Sequence, residues 1–196
     1  MRCAKEPKVL EAAKAVFLRY GYRRTTMGDI AAAAGISRPA LYLMFRNKER
    51  VFEATLKKLS ATLLEDIRTG IAETGSPMEK LRLAFEHWAV RTFKLMLESP
   101  DAEDLIQCNY GFAKGVMDQS QAAFEAQLVS ILETVQETRH APGPGLERVA
   151  HVLSASVHGL KGVARDVPEL RDMIDTLLHL TVSSLASGNG APQQVR

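Results

Sequence analysis

Apolar residues along this chain recur at helical spacing almost throughout, and no segment alternates apolar with polar as a half-buried strand would. Residues 8–20 carry Leu10, Ala13, Phe17 and Tyr20 on one stripe. Gly21 stands where that helix would stop, because glycine takes the left-handed conformation without a Cβ penalty. After the polar link "YRRTT", Thr26-Met27-Gly28-Asp29 has the form of a capping box that opens a second helix. Ile30, Ala31 and Ala34 supply its inner face, and Gly35 ends it about two turns later. Ser37 caps a third helix, with Arg38 and Pro39 in its first turn, where proline's missing N–H costs little. That helix runs to about Phe45. Asn47 caps a fourth, which bears Phe52, Leu56, Leu59, Leu63 and Ile67.

The remainder reads as a second helical unit. "TGSP", 74–77, opens a helix with Leu81, Phe85, Trp88 and Phe93, and Pro100 breaks it. A short segment over 101–108 follows, then a long helix over 116–138 with Phe124, Leu128, Ile131, Leu132 and Val135. "HAPGPG", 140–145, is the clearest loop. Two helices remain, over about 146–165 and 168–186, and the tail 187–196 is expected to be disordered. The expected fold is all-α with about nine helices: a three-helix head over 1–47 and a helical body over 48–186.

Composition narrows the class. The chain has 196 residues, of which 46% are hydrophobic, enough for a substantial core. No apolar run approaches the ~20 residues a membrane span needs. The N-terminal stretch has no signal-peptide core, since Lys8, Glu11 and Lys14 interrupt it. Cys3 and Cys108 show no paired or metal-type spacing, and a reducing cytoplasm is the simple reading. No cofactor is expected. Net charge is +2, but residues 1–50 hold 11 Lys/Arg against 4 Asp/Glu, and residues 51–196 hold 14 against 19. A basic head on an acidic body suggests a polyanion as the head's partner.

Three short helices, the last two joined by a glycine-containing turn, describe a helix-turn-helix. Ala31 is small enough for the third helix to cross closely, Gly35 turns the chain, and Leu41 points back into the small core. Thr25 to Leu56, "TTMGDIAAAAGISRPALYLMFRNKERVFEATL", resembles the DNA-binding signature of the TetR family of bacterial transcriptional regulators. Leu-Tyr-x-x-Phe followed by Asn-Lys-Glu is its most diagnostic piece. The resemblance implies phosphate contacts from Thr25, Thr26, Tyr42 and Lys48, and a major-groove face at Arg38, Pro39 and Ala40. Ala31, Gly35, Ser37, Leu41 and Phe45 would be structural. Leu43 and Met44 depart from the family, which often has Tyr, His or Arg there. Leu43 then offers apolar contact only, for example to a thymine methyl, and hydrogen bonding to bases falls mainly on Arg38.

The resemblance also implies a double-stranded, near-palindromic operator, a homodimer, and a small-molecule effector bound in the body. The fourth helix would carry motion from body to head. Body residues that could line an effector cavity are Phe85, Trp88, Met96, Cys108, Tyr110, Phe112, Phe124 and His158, a charge-poor set suited to an apolar or amphipathic molecule. The last two helices are apolar around more than one stripe, so a second buried face implies another subunit. Val152, Ser156, Gly159, Leu160, Ile174, Leu177, Leu178 and Leu185 are the expected interface.

Catalysis has little support. His151 and His158 share a helix face but lie about 10 Å apart, too far for one metal. HExxH, GxSxG and a phosphate-cradling glycine loop are all missing from the chain. A helical ligand-binding or structural module without DNA activity is the other class to consider; the head motif and the charge asymmetry argue against it.

Overall fold

The computed structural model describes residues 5–98, 110–136 and 145–187. Every element among them is helical. In chain order these are α1 (Glu6–Arg24), α2 (Met27–Ala34), α3 (Arg38–Met44), α4 (Lys48–Glu73), α5 (Pro77–Phe85), a π-helical turn (Glu86–Val90) and α6 (Arg91–Glu98). A 3₁₀ turn (Gly111–Ala113) then leads into α7 (Lys114–Gln136), followed by α8 (Leu146–Leu160) and α9 (Val167–Ser187). The segment expected at 101–108, Cys108 with it, and the tail after Ser187 lie outside the described residues. None of the described helices is long and apolar enough to cross a membrane.

The chain divides into two compact units. One is Met1–Thr62 with Leu95–Gln121; the other is Leu63–Lys94 with Ala122–Arg196. The packing units therefore divide inside α4, further along than the start of the fourth helix. The first also takes in the beginning of α7.

The first unit is built on α1, α2 and α3. Helix α1 does not simply stop at Gly21. That residue breaks the helix with φ 70° and ψ 167°, and one more turn follows to Arg24. Thr26 caps α2 as the sequence pattern requires: its hydroxyl accepts from Asp29 N–H at 3.2 Å, and its own N–H donates to the Asp29 carboxylate at 2.8 Å. Gly35 closes α2 in the left-handed conformation, φ 66°, with its N–H and that of Ile36 donating to Ala32 and Ala31 carbonyls. Ser37 then caps α3 by accepting from Ala40 N–H at 3.3 Å.

Around this frame Ile30, Ala31, Leu41, Val51 and Phe52 are fully or almost fully buried. Phe17 meets Phe52 edge-on at 5.0 Å, and Tyr22 meets Phe52 at 4.8 Å, both favourable aromatic geometries. Tyr110, Phe112 and the fully buried Ala113 pack on this same core, with Tyr110 4.6 Å from Tyr22. A 62-residue segment has little core of its own, so this added aromatic surface completes the head.

The second unit is centred on Phe85, Phe124, Leu128, Leu132, Leu153 and Leu170, all essentially inaccessible to solvent. Helix α5 opens with a second capping box, Ser76 with Glu79. The π turn that follows was not legible as such. Its displaced carbonyls, those of Trp88 and Ala89, both accept from the Thr92 hydroxyl, at 3.1 and 2.8 Å. Helix α8 is shorter than the pattern to 165 implied. After Leu160 the chain tightens into i→i−3 bonds, Gly162 N–H to Gly159 and Val163 N–H to Leu160, in a stretch weakened by two glycines. Two-pronged Arg–carboxylate pairs, Arg82 with Asp175 and Arg171 with Glu86, tie α9 to α5 and the π turn.

Candidate nucleic-acid interface

Helix α3 is seven residues long and is held by one side. Leu41 is fully buried and Phe45, at its C-cap, nearly so. Met44 packs partly buried against the same core, and the other positions open outward. Arg38 and Pro39 are exposed, Ala40 is half-buried, Tyr42 is 47% exposed and Leu43 72% exposed. A short helix with an anchored side and an open side, set at an angle to α2 by a left-handed glycine, is the form that enters a major groove.

Arg38 is positioned from below. Gly28 lacks a Cβ, and the space that atom would take lies 3.7 Å from Arg38 Cδ. The arginine thus lies back over the start of α2, beside Asp29. The Asp29 carboxyl is held below the usual carboxylate range, first by hydrogen bonds from Thr26 and further by the charge of Arg38. Arg38 forms no ion pair with any described residue, so its guanidinium keeps its donors for a ligand.

Three expected phosphate contacts change. The Thr25 side chain is buried, 1% exposed, and its hydroxyl donates to the Gly21 carbonyl at 2.7 Å. It closes the break in α1 and does not reach solvent. Thr26 is exposed, but its hydroxyl both donates to and accepts from Asp29 within the capping box. The donors left open at that end are the first backbone N–H groups of α2, which helix geometry leaves unpaired. Lys48 turns inward. Its ammonium donates to the carbonyls of Tyr22 at 2.7 Å, Thr25 at 2.8 Å and Arg23 at 3.3 Å, and lies 4.3 Å from the centre of the Tyr22 ring. All three of its protons are committed to the end of α1. This is a helix cap built from a distant residue, favoured by the negative end of the α1 dipole.

What sequence reasoning missed sits on either side of Lys48. Arg46 and Arg50 are exposed at the start of α4, where Asn47 accepts from Arg50 N–H at 3.1 Å as N-cap. The basic spacing 46, 48, 50 was visible in the sequence. Which members face solvent was not.

The family model described as "Bacterial regulatory proteins, tetR family" matches residues 9–55, which is this head. Over these residues, about a quarter of the chain, the protein is similar to the TetR family. It is 42% identical over 55 residues to the HTH-type transcriptional regulator TtgR of Pseudomonas putida, covering 28% of this chain and 26% of that protein. It is 34% identical over 79 residues to the HTH-type transcriptional activator FasR of Mycolicibacterium smegmatis, covering 40% of this chain and 36% of that one. The aligned part thus spans between about a quarter and about a third of these relatives. The fold extends further: the transcriptional regulator FadR of Bacillus subtilis, in complex with stearoyl-CoA, superposes with a TM-score of 0.63 at 19% identity, covering 94% of this chain and 98% of that one.

In the body the expected cavity residues do not form one set. Phe85 and Phe124 are buried in the second unit, and Trp88, from the π turn, stacks on Phe124 at 4.3 Å and 5°. Tyr110 and Phe112 belong to the first unit, where they complete the head's core. His158 is exposed on α8, Met96 is half-buried on α6, and Cys108 lies outside the described residues.

The expected interface residues also split. Ile174, Leu178 and Leu185 are at most 4% exposed and fill the subunit's own core, because α9 turns that stripe towards α5 and α8. Leu160, Leu177 and Ser156 are half-buried, while Val152 and Gly159 are exposed. Val163 and Leu180, 65% and 66% exposed, add to the apolar surface of this part of the chain.

Proposed function

We propose that this protein is a sequence-specific DNA-binding transcriptional regulator. Residues 1–47 would carry the DNA contacts and 48–186 the effector and dimer surfaces. The observation that carries the reading is α3: a short helix anchored by Leu41, open along Arg38, Tyr42 and Leu43, within residues 1–50, which hold 11 Lys/Arg against 4 Asp/Glu. With Leu43 apolar, sequence is read by Arg38 hydrogen bonds, methyl contacts and DNA shape. A mobility-shift assay with the gene's own upstream DNA tests the reading. A complex that competitor DNA of unrelated sequence removes at equal concentration would refute it.

The active species in this reading is a homodimer formed through the exposed Val152, Gly159 and Leu180. Its two α3 helices would reach successive major grooves about 34–36 Å apart on a near-palindrome. Regulation by repression follows from the family resemblance; a reporter gene behind the bound promoter distinguishes it from activation.

The body would take a small apolar or amphipathic effector. Two features of the second unit support this. Trp88 sits in a π turn, a distortion frequent at functional sites, stacked on Phe124. One helical turn from Phe124, Gln127 donates its amide N–H to the Leu64 carbonyl at 2.9 Å, leaving Oε1 buried with no hydrogen-bond partner among the described residues. The FadR relative's stearoyl-CoA is an amphipathic molecule of the kind proposed. Thermal-shift screening against apolar, amphipathic and phosphorylated compounds tests it; hits confined to the phosphorylated set refute it.

A further inference from the structure

The side-chain amide of Gln127 is fixed at one end and unmet at the other. Its Nε2–H donates to the Leu64 carbonyl of α4 at 2.9 Å. Turned over, the amide would set Oε1 against that carbonyl, and two acceptors repel. The orientation is therefore dictated by α4, and Oε1 is held buried with no hydrogen-bond partner among the described residues. On the same face of α7, Phe124 stands one turn before and Ile131 one turn after, both buried and apolar. A buried water needs several polar partners, and these neighbours supply none. Trp88, from the π turn, stacks on Phe124 at 4.3 Å. It is half-buried, and its indole N–H donates to no described residue. The second unit thus holds an unmet acceptor on α7 and an unmet donor on the π turn, and Phe124 neighbours both.

We propose that Gln127 selects the effector: the ligand is an apolar molecule bearing a hydroxyl, phenol or amide N–H group, and Gln127 Oε1 accepts that group's proton in a hydrogen bond. The inference rests on the reading of an apolar or amphipathic effector and adds the polar group such an effector must carry. An acceptor stripped of water and given no donor costs the folded protein free energy. A ligand that donates to Oε1 recovers that cost on binding. An ether or hydrocarbon of the same shape does not, so the site discriminates by the proton and not by size. Trp88 points to the same class. Its N–H takes an acceptor, and hydroxyl and amide groups accept as well as donate.

Trp88 is the only tryptophan of the chain, so its emission reports from this unit directly. The full chain would be titrated with two matched pairs, decanol against decyl methyl ether and pentylphenol against pentylanisole. Within each pair a methyl group replaces the proton to be donated. Wild type should bind the donor of each pair about tenfold more tightly than its ether. Gln127→Leu should bind all four molecules and lose the preference. Without ligand, its melting temperature should equal or exceed that of wild type. The substitution removes the orphaned acceptor together with the Leu64 bond, and the Leu64 carbonyl keeps its place in the α4 hydrogen-bond ladder. Gln127→Met, closer in length to glutamine, should behave in the same way.

If no probe changes the emission or the melting of wild type, the reading of an apolar effector in this unit fails. If wild type binds both members of each pair equally, that reading stands and Gln127 does not select the ligand. A preference for the donors that survives in both variants places the recognition elsewhere and overturns the proposal. Variants that melt well below wild type and lose all four molecules together make Gln127 a structural tether between α7 and α4, which also overturns it.

Discussion

Replacing Lys48 by methionine separates a structural cation from a phosphate-binding one. Methionine keeps most of the apolar stem over the Tyr22 ring and removes the charge. The ammonium makes hydrogen bonds of 2.7 and 2.8 Å and a longer one of 3.3 Å, all to carbonyls at the end of α1. A hydrogen bond to a charged group contributes about 1.5–3 kcal/mol when shielded. Lys48 is half-buried, so water replaces part of that, and about 1 kcal/mol for each short bond is the better figure. Loss of the favourable dipole interaction adds roughly 0.3–1 kcal/mol. The total is about 2–3 kcal/mol, or a fall in Tm of roughly 5–10 °C for a chain of this size. Thermal melting followed by circular dichroism measures it. In a DNA-binding titration against salt, the variant should lose affinity through the folded population while its slope of log K against log salt stays that of wild type. Unchanged melting with a slope flattened by about 1.8, 0.9 for each of the dimer's two copies, would mean that the ammonium faces phosphate in the complex. It would refute the assignment of Lys48 as a helix cap.

Other outcomes follow from the same geometry. Arg38→Ala should alter the ranking of operator variants in a binding-site selection, whereas Tyr42→Phe should weaken all duplexes alike; an unchanged ranking for Arg38→Ala rules out its role in base reading. Gly35→Ala meets open space but forces alanine to φ 66°, costing about 1–2 kcal/mol in a urea melt. The Asp29 carboxyl is lowered by its bonds to Thr26, so it stabilises the fold above the ordinary carboxylate range and that stability is lost as pH falls through its own, lower value. The gap in urea midpoint between wild type and Asp29→Asn should therefore be flat from pH 8 to about 5 and close below about pH 4. Leu180→Glu and Val152→Asp, at exposed positions, should give a folded monomer in sedimentation at micromolar concentration; a dimer that survives both excludes this face.

Much of this was legible along the chain because the forces concerned are local. The capping box at Thr26 and Asp29, the left-handed Gly35 and the Ser37 cap each involve residues within four positions of one another. Helix lengths followed from periodicity to within a few residues, except where two glycines shortened α8. Ile174, Leu178 and Leu185 lie on a helix apolar on two sides, and periodicity does not say which side meets the subunit's own core. Exposure assigned the inner side to Ile174, Leu178 and Leu185, and the outer to Leu180.

The sequence by itself determined the class: all helices, a helix-turn-helix head, and the positions of the turn, the caps and the open face of α3. It also determined that the head is basic, since charge is additive along the chain. Only the tertiary structure decided which cations are available. Lys48 reaches carbonyls 23 to 26 residues earlier in the chain, a partnership that depends on α1 ending beside the start of α4. Thr25 is withdrawn from solvent by the break at Gly21, and Tyr110 and Phe112, read as body, complete the head. Each of these is a contact between residues distant in sequence or a burial that several elements impose together. A side chain's chemistry is written in its identity, but whether its donors are already spent is set by what folds against it.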